Sequence, residues 1–119
     1  AAVEAVRAGM AAGRSAQQAA DRATVRTSVR WLLEELGRRA PGHSVEVRVP
    51  PYAAIQAIGG PVHRRGTPAA VVEMDADTWL VLATGELDWA AATSAGRIRA
   101  SGARADLSEW LPLLTAPPG

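Results

Sequence analysis

Apolar positions along the chain fall into runs of two different periods. Over "DRATVRTSVRWLLEELGRRAPG", Val25, Val29, Leu32, Leu33 and Leu36 recur at helical spacing and share one face. Glu34 and Glu35 precede Arg38 and Arg39 by about one turn, an order that favours ion pairing along a helix. Pro41 and Gly42 stop that helix. The period then drops to two. "SVEVRV" puts Val45, Val47 and Val49 on one side and Glu46 and Arg48 on the other, which predicts a half-buried strand ended by Pro50-Pro51. "YAAIQAI" predicts a second, weaker strand closed by Gly59-Gly60-Pro61, "VHRRGTP" a loop, and "AAVVEM" a third strand.

Beyond Met74 the pattern is one of short helices between caps. Asp75 or Asp77 caps "ADTWLVLAT", which Gly85 ends, and Asp88 caps "WAAATSA", which Gly96 ends. "RIRAS" predicts a strand with Ile98 and Ala100 on one side, and Gly102 turns the chain. Asp106 or Ser108 is expected to open a last short helix, "LSEWLPLL", with Pro112 tolerated in its first turns. Residues 1–20 are small and polar; Gly9 and Gly13 each cost about 1 kcal/mol in a helix, so this stretch is expected to fray or to pack on a neighbour. Strands in a run rather than in alternation with helices predict an α+β domain, its sheet mostly antiparallel and packed against helices, with a long N-terminal helix. The expected limits are an Ala-rich extension over 1–21, the domain over 22–115 and a tail over 116–119.

At 119 residues the chain suits one domain with one core. Its net charge is +1, with thirteen basic and twelve acidic residues interspersed, so no polyanion partner is indicated and nucleic acid is not expected. Every basic residue is Arg, and Phe is absent, a composition that GC-rich codons produce. Without Cys, neither disulfides nor thiolate chemistry is available. No apolar run reaches the roughly 18 residues of a membrane helix, and the Ala-rich start is too broken for a signal peptide. Stable membrane insertion is not expected, and a cytoplasmic location is the default expectation.

Three groups of residues invite a chemical reading. Ala92-Thr93-Ser94-Ala95-Gly96 is close to a nucleophile elbow, but a helix precedes it and a strand follows, the reverse of what the elbow needs. Glu73, Asp75 and Asp77 alternate like a calcium loop, yet Trp79 and Leu80 fill the next positions; a strand end and a helix cap explain the acids better. His63-Arg64-Arg65-Gly66 could hold a phosphate or carboxylate, and Arg64 and Arg65 are weak candidates for meeting an anionic headgroup. No catalytic residue, metal or cofactor is expected.

"TGELDWAAATSAGRIRASG" resembles the signature of the sterol-carrier-protein-2 family. Thr84-Gly85-x-Leu87 is followed by an Ala-rich short helix, by Gly96-Arg97-Ile98-x-x-x-Gly102, and then by Leu107 and Leu111. The stretch "VRVPPYAAIQAIGGPVHRRGTPAAVVEMDADTWLVLATG" looks like the actinobacterial branch of that family, and the likeness covers roughly residues 22–115. The chain departs from the family in ending "PPG" rather than in a peroxisomal Ser-Lys-Leu address, and in having Trp and Leu where Phe could line a cavity.

The resemblance implies an SCP-2-like fold that binds or carries a lipid, acyl chain or sterol-like molecule in an internal apolar cavity, without catalysis. Trp79, Leu82, Leu87 and Trp89 are then expected to line one side. Val47, Val49, Ile55, Val72 and Ile98 would supply the sheet floor, and Trp110, Leu111 and Leu114 a lid. The alternative is a protein-interaction or dimerisation module in which the same core has closed, a second copy being one partner. A related domain ends some mycothiol-dependent isomerases, so the fold alone does not decide the function.

Overall fold

The computed structural model describes residues 2–102 and 105–114, and for residues 2–20 only the helical backbone. Helix α1 spans Ala2–Arg39. Its backbone runs on through Gly9 and Gly13, so the weak propensity of the Ala-rich stretch does not break the helix. The expected tail, 116–119, lies outside the described residues. At its other end α1 is pinned to the sheet, because Ile58 N–H donates to Ala40 O at 2.6 Å and Ser44 N–H donates to Ile58 O at 3.0 Å.

Strands β1 (Val45–Val49), β2 (Ala53–Ala57), β3 (Ala70–Met74) and β4 (Ile98–Ser101) form one sheet in the order β2-β1-β3-β4. β1 pairs antiparallel with β2, and β3 with β4, while β1 and β3 run parallel, Val45 facing Ala70. The reason for the parallel pair is where β2 ends: Ala57 lies opposite Val45, at the start of β1. Residues 58–69 then need only pass beneath β1 for β3 to set off in the same direction, and no crossover helix is required. The expected loop "VHRRGTP" makes this passage, with a tight turn at Arg64–Gly66 and a bridge between Val62 and Pro68.

One face of the sheet is dry. Val45, Val47, Val49, Val72 and Met74 are buried there under Val29, Leu33 and Leu36 of α1 and under α2 (Ala76–Ala83), whose Trp79 and Leu82 complete the core. The other face carries Glu46, Arg48, Glu73 and Arg99. Its charges compensate one another, Arg48 Nε donating to Glu46 Oε1 at 2.8 Å and Arg99 lying 3.7 Å from Glu73. β4 is an edge strand, and Ala100, expected on its inward side, stays exposed.

The caps fall where the sequence places them. Asp75 Oδ1 accepts from Thr78 N–H at 2.8 Å at the start of α2, and Asp88 Oδ1 accepts from Ala91 N–H at 2.7 Å at the start of α3 (Trp89–Ser94). Asp75 is thus engaged as a cap, and Ser94 closes a helix that leads into β4. Buried Thr78 also accepts from Arg97 Nε at 3.0 Å, which ties α2 to the entry of β4.

The expected final helix does not form. Residues 108–110 make a turn, with Ser108 N–H donating to Asp106 Oδ1 at 2.7 Å and Trp110 N–H to Leu107 O at 2.9 Å. Pro112 has no N–H to continue a helical ladder and holds Leu111 away from helical backbone angles. The next two donors, Leu113 N–H and Leu114 N–H, both turn to Ala83 O at 2.9 Å. The C-terminal segment is therefore a strap laid across the end of α2, anchored by buried Leu107 and Leu113.

Two carboxylates make the fold sensitive to acid. Hydrogen bonds from Arg39 and then Arg38 hold Glu35 below its ordinary pKa, and hydrogen bonds from Thr78 do the same for Asp75. A depressed folded-state pKa contributes stability above the unfolded value, and that stability is lost as the pH falls through the folded value. The melting temperature is therefore expected to fall steadily once the pH drops below about 4.5. A double Glu35→Gln, Asp75→Asn variant should melt lower at neutral pH but with a flatter acid limb. An equally steep limb in the variant would show that other groups govern the acid response.

Candidate functional site

Two apolar clefts open beside α2, one on each side of the strap. The first lies between α1 and α2. Thr27, Ser28, Trp31 and Leu32 form one wall, Leu80, Val81 and Thr84 the other, and Glu86 and Leu114 the ends; its volume is about 520 Å³. The second, of about 310 Å³, is bounded by Leu82, Leu87 and Trp89 on the α2–α3 side and by Ser108, Leu111 and Pro112 of the strap. Both volumes fall in the range of small-molecule sites.

The clefts owe their shape to local rules. Gly85 ends α2 with φ +83, a left-handed conformation that releases the chain sharply. Leu87 N–H then donates back to Val81 O at 3.1 Å, so Glu86 is held on the lip of the first cleft and Leu87 turns into the second. A side chain on residue 85 would touch Pro112 at 3.4 Å, which shows how closely the strap crosses here. Thr84 directs its hydroxyl to Leu80 O at 2.7 Å, leaving its methyl group for the cleft.

The twelve residues expected to line a single cavity are distributed over four environments. Val47, Val49, Val72 and Trp79 lie in the packed core, and Ile55 and Ile98 pack half-buried against it. Leu82, Leu87, Trp89 and Leu111 are brought together in the second cleft. Leu114 lines the first, and Trp110 lies apart in a groove with Ile58, Gly59 and Asp106. Trp110 stands in the strap's turn, not on a helix, so the three lid residues point to three different places.

Of the apolar wall of the first cleft, only Leu114 was among the expected site residues; Trp31, Leu32, Leu80 and Val81 were not. Trp31 is 53% exposed and Leu114 42%, and both line the first cleft. Trp31 sits two positions from both Val29 and Leu33, roughly 200° around α1 from each, so it is off the core stripe. A tryptophan on the polar side of an amphipathic helix is the signal that marks this wall.

Arg64 lines a groove with His63, Pro68, Val71 and Ser101, and that groove shares no residue with either apolar cleft. Arg65 is its exposed neighbour, with φ +66. His43 Nδ1 lies 2.6 Å from Gln56 Oε1 at the surface, remote from both clefts in sequence and lining neither.

An N-terminal helix on a mixed, mostly antiparallel four-stranded sheet is the SCP-2-like fold. The chain belongs to the family described as bacterial SCP ortholog, whose model matches residues 21–113. No curated protein matches the chain. No helix among the described residues is long and apolar enough to cross a membrane, and no group of three or more His, Cys, Asp or Glu among them could hold a metal ion.

Proposed function

We propose that this SCP ortholog binds an apolar molecule, a lipid or acyl chain, in the cleft between α1 and α2, and performs no chemistry on it. Family membership supports an apolar ligand. The observation that carries the reading is the wall of Trp31, Leu32, Leu80, Val81 and Leu114 around a space of about 520 Å³. A space of that size inside a packed core would forgo roughly 12 kcal/mol at about 24 cal/mol per Å³, a large share of a domain's whole stability. An open cleft escapes that cost, which is why a small domain with a solid core can still offer a site. Residues 22–115 act as the carrier domain in this reading, with 1–21 as an extension of its first helix.

The test uses a neutral apolar dye, Nile red, which reports its surroundings without introducing a charge. The protein should take it up saturably. Trp31→Ala and Leu114→Asp should each weaken uptake by about ten-fold, equivalent to about 1.4 kcal/mol. Both positions are substantially exposed, so neither change should unfold the chain. Leu111→Asp, in the second cleft, should leave uptake nearly unchanged. Absence of saturable uptake would overturn the proposal, and loss confined to Leu111→Asp would move the site to the second cleft.

The exposure of Trp31 and Leu114 also favours a second reading, in which another copy of the chain covers this face. Sedimentation equilibrium separates the two. A mass that rises with concentration and returns to the monomer in Trp31→Ala would favour the interface.

A further inference from the structure

The first cleft has a charge asymmetry. Among the described residues, Glu86 is the one charged residue in its lining and no arginine lines it, although every basic residue of this protein is Arg and there are thirteen basic residues. Glu86 is exposed on the lip that Gly85 creates, and among the described residues it makes no ion pair. Among the described residues the second cleft also contains a single charged residue, Asp88, but that carboxylate is committed to capping α3. The arginine pair that could meet an anionic headgroup, Arg64 and Arg65, stands at a separate groove.

Resting on the apolar-ligand reading above, we infer that the α1–α2 cleft selects amphiphiles whose polar end is a protonated amine, with Glu86 as the residue that sets this specificity. An alkyl chain lying along Trp31, Leu80 and Val81 emerges at the lip beside the carboxylate. An ammonium group there gains an ion pair and a charge-assisted hydrogen bond. A hydroxyl in the same place gains only a hydrogen bond. A carboxylate is repelled, and the described lining offers no cation to offset the repulsion. Because the lip is wet, each of these effects is modest and screened by salt. They act in opposite directions on the two ions, so the difference between them is larger than either alone.

Three ligands with the same ten-carbon chain test this: decylamine, decanol and decanoate, each kept below its micellar concentration and measured by calorimetry at pH 7 and low salt. Decylamine should bind more tightly than decanol, and decanol more tightly than decanoate, with about ten-fold between the two ions. Glu86→Gln should bring the three affinities together, and Glu86→Arg should reverse the order, while decanol binds equally to all three proteins. That invariance shows that the cleft itself is intact. If decanol and both ions bind with equal affinity, or decanoate binds most tightly, or Glu86→Gln leaves the order unchanged, the inference is wrong although the ligand reading stands. If none of the three binds, the ligand reading falls and this inference with it.

Discussion

Trp79→Ala should lower stability by about 3–5 kcal/mol, the cost of emptying a large aromatic site in a packed core. Trp79 is fully buried between the sheet, α1 and α2, and its indole Nε1–H donates to Val29 O at 3.3 Å. It is the largest fully buried side chain among the described residues. A domain has only about 5–15 kcal/mol in all, so this loss should lower the melting temperature by roughly 10–20 °C. Trp79→Phe separates the two contributions. It keeps most of the ring volume and loses the hydrogen bond, and Val29 O lies within α1, where it remains part of the helical ladder. That variant should cost only about 1–2 kcal/mol. Urea denaturation followed by circular dichroism measures both. Near-equal losses would mean that the hydrogen bond, not the packing, makes Trp79 indispensable.

Gly42→Ala should be comparably damaging for a different reason. Gly42 has φ +146, and a Cβ there would lie 2.2 Å from Ile58 O and 2.4 Å from Gly59 N. These are backbone atoms held in place by the hydrogen bonds that fasten the end of α1 to β2, including Ser44 Oγ–H to Ile58 O at 2.7 Å. The clash cannot be relieved without opening that junction, so a loss of about 3 kcal/mol or more is expected, at the upper end for single substitutions. Gly96→Ala is the control. Its φ of +71 is also left-handed, but nothing lies within 4 Å of the added methyl. It should cost only about 1 kcal/mol, the ordinary penalty of that conformation for a residue with a side chain. If the two alanine variants melt alike, the junction is softer than its geometry implies.

Sequence pattern alone determined every strand, the first three helices and the inward faces of α1 and β1. Five apolar residues at helical spacing place Val29, Leu33 and Leu36 in the core because a helix repeats every 3.6 residues, and the alternation of β1 buries Val45, Val47 and Val49 because a strand repeats every two. Asp75 and Asp88 were legible as caps, since a short acceptor side chain before an apolar run satisfies helical N–H groups that have no other partner. The signature running from Thr84 to Gly102 identified the family that the match over 21–113 establishes.

Tertiary structure decided the rest. Apolar character says that a side chain avoids water, not which neighbour shields it, so Val47, Val72 and Trp79 were indistinguishable in sequence from Leu87 and Leu111. Packing put the former in a solid core and the latter beside an open cleft. The last helix was lost to a contact far away in sequence: Ala83 O, at the open end of α2, accepts the N–H groups of Leu113 and Leu114 just after Pro112 breaks the ladder. That single carbonyl makes a strap of what the local pattern reads as a helix, and the strap leaves a cleft on each side. Glu86 is silent in sequence, one acid among twelve, and becomes the sole charge among the described residues of an apolar cleft only because Gly85 turns the chain there.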